Sequence, residues 1–400
     1  MHNTFRTFQT YLDLSDPINS PLHTYGPIFA FKGYEENLEN KLTSTRVLPP
    51  AFRENLVTYL KLEHFKGLSP LDVPLDNRSE RWKALCERLE NFYTISEYDQ
   101  YITCKVLFSL GYYELVLSLL KNHMEIDRGG SILQGKITYL ATFSDYILKI
   151  KKIDKYNPKY TANLAQKSLL GSKVRFSACL RMLIYYSKDN VNINLVEYWR
   201  EELYKSLLAM DIPQYSFNYY IMWSRFYRAS SFLPFLRQDK QKTEYEIQLA
   251  LELGECAVPG NVEEEIVWKT NLIPAYQTAA KVASIYNKKT KMFNLYKKRV
   301  DIDPLDSLGL IELGYAYKEL EEIEKAGNIF EKAALLGPPG TPIAWFLAGC
   351  CYEQINNKNE ALKCYINSLK VDPKGVSPKK RIEELGVKHS DLDILVKSIH

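Results

Sequence analysis

The chain predicts an all-α protein built as an array of helix–turn–helix repeats behind an irregular N-terminal segment. Three observations carry that reading. Apolar residues recur at helical spacing from about Ser79 to Ile399. Residues 306–340 read DSLGLIELGYAYKELEEIEKAGNIFEKAALLGPPG, and the next 35 residues, TPIAWFLAGCCYEQINNKNEALKCYINSLKVDPKG, repeat the same order of large and small side chains. Prolines are unevenly spread: seven of the eighteen lie in the first 80 residues, and none lies between Leu75 and Asn157.

Taken in order, residues 1–80 carry prolines at 17, 21, 27, 49, 50, 70 and 74 and contain one short helical stretch, FRENLVTYLKLEHF. The segment is too small and irregular for a core of its own, so it is expected to pack on the array. Residues 81–272 read as degenerate helical repeats. In YITCKVLFSLGYYELVLSLLKNH, Gly111 marks a turn between two helices; three or four helices follow between Ser131 and Pro213; and YEIQLALELGECAVPG is an amphipathic helix that ends in a proline. Residues 273–376 hold the repeats, and 377–400 read as capping helices, with Ser377 as N-cap, Pro378 at N1 and Gly386 past the end. Ser390 opens a second cap, DLDILVKSI. Terminal helices of this kind shield the last apolar face of a repeat array.

Each repeated position has a physical reason. Gly314 and Gly349, with Ala326 and Ala361, are small where the paired helices touch, and Tyr317, Tyr352, Phe330 and Tyr365 fill the space between. Pro338 and Pro373 end the second helix, since proline lacks an amide donor and clashes with the preceding turn. One repeat upstream, Tyr276, Ala279, Ala280 and Ala283 match, but Met292 and Arg299 stand where small residues are usual. This pattern resembles the tetratricopeptide repeat, a helix-turn-helix unit of about 34 residues. The resemblance is strong over 307–373, fair over 273–306 and faint over 97–272. It implies a right-handed superhelix whose first helices line a concave groove.

Composition is that of an ordinary globular protein: 400 residues, 46% hydrophobic, 25% charged. A net charge of +4 is small for this length and gives no argument for a nucleic-acid partner. No run approaches the ~18 apolar residues of a membrane span, and the N-terminus lacks the apolar region of a signal peptide. The seven cysteines are scattered, with no CxxC, which predicts reduced thiols and a cytoplasmic protein.

No catalytic or metal-ligating constellation emerges, and no cofactor is expected. The six histidines have no ligand spacing, Asp301 to Asp303 sits at a repeat end where aspartates form turns, and GPPG at 337–340 is followed by no GK[ST]. The basic run KKTKMFNLYKKR at 288–299 reads first as a solvated helix face and second as a patch for an acidic partner.

By the family resemblance, the groove would be lined by Gln277, Lys281 and Ser284, then Ile311, Tyr315 and Lys318, then Phe346, Cys350 and Glu353. Chaperone-binding members carry a Lys/Asn clamp where this chain has Ile311 and Tyr315, so the clamp is absent. The expected partner-binding set is Gln277, Lys281, Ile311, Tyr315, Lys318 and Phe346, suited to a peptide or amphipathic helix with some acidic character. The leading expectation is a non-catalytic protein-interaction scaffold. An enzyme or biosynthetic accessory protein, with a site between the N-terminal segment and the array, is the second. Convergence of His23, Tyr25 and His64 on one pocket would favour it. A signalling-peptide receptor is the third, and a small-molecule ligand stays open.

Overall fold

The computed structural model describes residues 69–72, 80–109, 112–124, 130–152, 158–167, 171–260, 262–302, 304, 306–335, 341–372 and 375–387. His23, Tyr25, His64, Gly111, Pro338, Pro373 and the helix expected after Ser390 lie outside them, as does most of the segment 1–80. The described residues contain helices and no strand, and they belong to two compact units, Gly67–Ala279 and Ala280–His400.

The first unit is a succession of helices: α1 (Glu80–Glu90), α2 (Glu97–Ser109), α3 (Tyr113–Leu120), α4 (Ile132–Lys152), α5 (Lys159–Gln166), α6 (Ser172–Lys188), α7 (Ile193–Leu208), α8 (Phe217–Ser230), α9 (Phe232–Leu236), α10 (Lys240–Cys256) and α11 (Val262–Ile285), the last running on into the second unit. Their starts follow from local chemistry. Asn192, Ser216 and Asp239 each accept a hydrogen bond from the amide three residues on, at 3.1, 3.2 and 3.0 Å, satisfying donors that a helix leaves open. The core of α5–α8 is built on Phe176, Met182, Trp199, Leu203 and Phe226. The three or four helices expected after Ser131 are α4–α7.

The second unit holds α12 (Lys289–Ile302), α13 (Ser307–Glu319), α14 (Ile323–Leu335), α15 (Thr341–Gln354), α16 (Lys358–Val371) and α17 (Val376–Glu384). One core runs through α13–α17, with Ala326, Phe330, Ala361 and Tyr365 fully enclosed. The small residues do what their size requires. A Cβ on Gly314 would stand 2.5 Å from Phe330 Cε1, and one on Gly349 would stand 2.5 Å from Tyr365 Cε1. Successive turns share a conformation: Asn287, Glu321 and Asn356 have φ of 56°, 63° and 61°. The next amide in each case reaches back five residues, to the carbonyls of Ala283, Tyr317 and Tyr352, at 2.8–3.0 Å. The unit upstream of Ser307, weak in sequence, therefore turns as the two clear repeats do.

Two boundaries differ from expectation. The helix that reads as starting near Ile273 starts at Val262 and passes through Pro274; the proline's missing donor interrupts one backbone bond without ending the helix. The terminal helix starts at Val376 with Gly375 as its cap, so Pro378 sits within the first turn, where amides lack intrahelical partners and proline is tolerated. Gly386 follows its end with φ of 96°, as expected.

Candidate functional site

The structure shows which side chains of the second unit face outward. On α13 the open stripe is Leu308, Glu312, Tyr315 and Glu319, with Tyr315 46% exposed. On α15, Ile343 is exposed, and Phe346, Cys350 and Glu353 are half-buried. The two stripes are neighbours. The Tyr315 phenol is pushed up by burial and then by Cys350 and Cys351 beside it. Burial pushes the Cys351 thiol up to about 11, with Lys318 nearby pulling it back.

Beneath this face a polar chain crosses to the terminal helix. The Tyr365 hydroxyl donates to Glu353 Oε2 at 2.6 Å and lies 3.6 Å from Cys350 Sγ, while Arg381 Nη1 lies 3.4 Å from Glu353 Oε1. Burial first, and the Glu353 bond second, hold the Tyr365 phenol far above its usual range. The Phe346 ring rests on Tyr365 at 5.7 Å, and the Tyr315 ring meets Phe330 edge-on at 5.4 Å. Both aromatics are thus anchored at one edge and open at the other.

At the opposite end lies a buried charge cluster. Arg299, 1% exposed, donates to Asp306 and Glu312, and Glu312 is also 3.7 Å from Lys281 Nζ. Gly309 makes room for it: a Cβ there would stand 2.9 Å from Asp306 Oδ2. Arg299 is therefore accommodated at a small-residue position because the following helix supplies two carboxylates.

Of the expected set, Tyr315 is exposed on α13 beside Cys350 and Cys351, Lys318 lies near Cys351, and Phe346 is half-buried on α15 against Tyr365. Lys281 is exposed but already engaged by Glu312. Ile311 is corrected: at 8% exposure it belongs to the core, supporting the face rather than lining it. Gln277 lies on the part of α11 that belongs to the first unit and is half-buried. Two ion pairs lie at this face: Lys281 with Glu312 and Arg381 with Glu353. Leu308, Glu312, Ile343, Tyr365 and Arg381 were not anticipated. The available signal was Glu312, a lone charge between Ile311 and Leu313, which marks the outward direction of α13.

Residues 309–338 and 343–374 match the tetratricopeptide repeat family model. The chain carries tetratricopeptide repeats. Among solved structures, it is similar to YrrB, described as a tetratricopeptide-repeat protein with an unusual peptide-binding site. That match has 11% identity over 52% of this chain and 91% of the other, with a TM-score of 0.35. It is also similar to the human IFIT1 dimer with m7Gppp-AAAA (12% identity, 94% and 89% covered, TM-score 0.36). A third similarity is to the Cut9–Hcn1 hetero-tetramer of the APC/C (11%, 76% and 86%, 0.25). No curated protein matches the chain by sequence. Among the described residues no cluster of His, Cys, Asp and Glu is placed to hold a metal, and no helix is long and apolar enough to cross a membrane.

Proposed function

We propose that the tetratricopeptide repeats form a non-catalytic interaction scaffold, and that the α13–α15 face receives a peptide or helix of a partner protein. The carrying observation is the pair of edge-anchored, outward-open aromatics, Tyr315 and Phe346, flanked by Lys318, which has no carboxylate partner among the described residues. Aromatic side chains give large contact area at small entropic cost, and their apolar setting suits a ligand with apolar anchors. The finer reading is a segment with apolar anchors and one acidic group for Lys318. Lys281 is the second cation at the edge, reached only in competition with Glu312. None of the seven cysteines is in a disulfide, which fits a reducing compartment.

The test is capture from native lysate by the immobilised protein, compared with the double variant Tyr315→Ala, Phe346→Ala and read by mass spectrometry. Losing a buried aromatic anchor costs upward of about 2 kcal/mol of binding, roughly 30-fold. A protein whose capture falls that far, while circular dichroism of the variant is unchanged, supports the face. Changing Lys318 to Ala should flatten the salt dependence of the same complex. Equal capture by parent and double variant, or capture of RNA in place of protein, overturns the assignment.

A further inference from the structure

The α8 helix carries an aromatic stripe in the first unit. Tyr219, Trp223 and Tyr227 follow one another at every fourth position, and Tyr215 stands one step before them. Successive ring centroids are 5.9, 6.0 and 5.8 Å apart. Tyr204 of α7 adds a ring 6.1 Å from Trp223, and Tyr245 of α10 lies near Tyr227. Tyr219, Trp223 and Tyr227 are half-buried, whereas Tyr204, Tyr215 and Tyr245 are 42%, 68% and 64% exposed. Tyr215 is also held at φ of 61°. A bulky residue in the left-handed region costs backbone energy, and this ring recovers little of it by burial.

Two properties of the stripe say what would cover it. The first is hydrogen bonding. Tyrosine hydroxyls and indole N–H groups ordinarily find partners when covered. Among the described residues no protein acceptor meets the hydroxyls of the five tyrosines or Trp223 Nε1, and none of these atoms is sealed from solvent. Burial, and after it Tyr245 and Glu246, push the Tyr227 phenol up, so it stays a donor. The stripe is a row of ring faces edged with O–H and N–H donors. The second property is charge. The cations beside Tyr204 on α7 are taken: Arg200 by Glu246 at 2.7 Å, and Lys205 by Glu201 and Glu202 at 3.0 and 3.1 Å. A single-stranded nucleic acid would stack on such rings but needs free cations along its phosphates. The complement is an uncharged apolar chain with carbonyl acceptors and few N–H donors. Proline fits that description, having a carbonyl and no N–H, and in a polyproline II helix the carbonyls stay open to outside partners. At about 3.1 Å per residue, roughly six residues of such a helix cover the three steps from Tyr215 to Tyr227.

From these observations we propose that the Tyr215–Tyr227 stripe, with Tyr204 and Tyr245 beside it, is a docking surface for an uncharged proline-rich segment of a partner protein in the polyproline II conformation. The rings pack against the pyrrolidines, and the hydroxyls of Tyr219 and Tyr227 donate to the segment's carbonyls. The surface does not depend on the α13–α15 face, so the Tyr315→Ala, Phe346→Ala variant should bind the same segment as the parent does.

The experiment titrates the full chain into fluorescein-labelled decaproline and into a labelled ten-residue peptide of alternating alanine and proline, read by anisotropy. A labelled Gly-Ser peptide of equal length and a labelled uridine decamer run in parallel. The parent should bind at least one proline peptide saturably below about 1 mM and leave the Gly-Ser peptide unbound. Tyr219→Phe with Tyr227→Phe keeps both rings and loses two donors, and should weaken binding about 10-fold. Tyr215→Gly removes an exposed ring and relieves its backbone, so binding should fall roughly 10-fold while Tm holds or rises. A merely structural stripe would not separate those two readouts. No saturable binding of either proline peptide by the parent overturns the proposal, as does equal binding by the parent and both variants. Tighter binding of the uridine decamer, weakened by Tyr215→Gly, would give the stripe to nucleic acid instead. A parent dimer in sedimentation that dissociates in Tyr204→Ala, Tyr215→Ala would make it a contact between copies, and the proposal would fall.

Discussion

At the residue scale, the second unit depends on missing atoms and on unusual backbone angles. Gly314 and Gly349 are required because the rings of Phe330 and Tyr365 occupy the space a Cβ would take. That requirement was legible, since small residues opposite large ones recur at a fixed interval. The left-handed turn residues were not legible, because φ at a turn is set by the two helices it joins. Asn287 and Asn356 suit that conformation, whereas Glu321, with φ of 63°, does not. Replacing Glu321 with Gly should therefore raise stability by about 0.5–1 kcal/mol, the relief of strain being partly offset by a more flexible unfolded chain. Urea unfolding with an unchanged m-value would check this; a loss of stability would mean that the Glu321 side chain contributes more than its backbone costs.

At the element scale, Arg299 shows how a departure from the repeat pattern is absorbed. The position is small in the following repeat, where Ala333 is fully buried, and a lone arginine there would be a defect. The α13 helix answers with Asp306 at its start and Glu312 one and a half turns on, and Gly309 leaves them room. Removing the cation strands two carboxylates, so Arg299→Ala should cost about 3–5 kcal/mol. Adding Asp306→Asn to that background should recover part of the loss; if the two changes are simply additive, the cluster is not a unit. The sequence marked Arg299 as anomalous but could not say what neutralised it. Asp306 reads equally well as a helix cap, and Glu312 as a surface residue.

At the scale of the whole molecule, repeats couple mainly to their neighbours. Ala326 is wholly enclosed among the residues of α13–α17, and Ala326→Leu should overpack that site by about 1–3 kcal/mol. Hydrogen exchange should speed most in α13–α15 and least in α6 and α7; a uniform loss of protection would contradict nearest-neighbour coupling. The sequence by itself determined the all-helical class, the pairing of helices in the two clear repeats and the residues at their contact, because 3.6-residue periodicity and a contact closing within one repeat are local properties. Tertiary packing decided the rest. One residue rotates a helical position by about 100°, so whether Ile311 or Glu312 faced outward depended on how α13 seated against α14 and α15. The same holds for charge: Arg299 reads in sequence as one more arginine in an amphipathic helix, and only the assembled neighbours gave it its carboxylates.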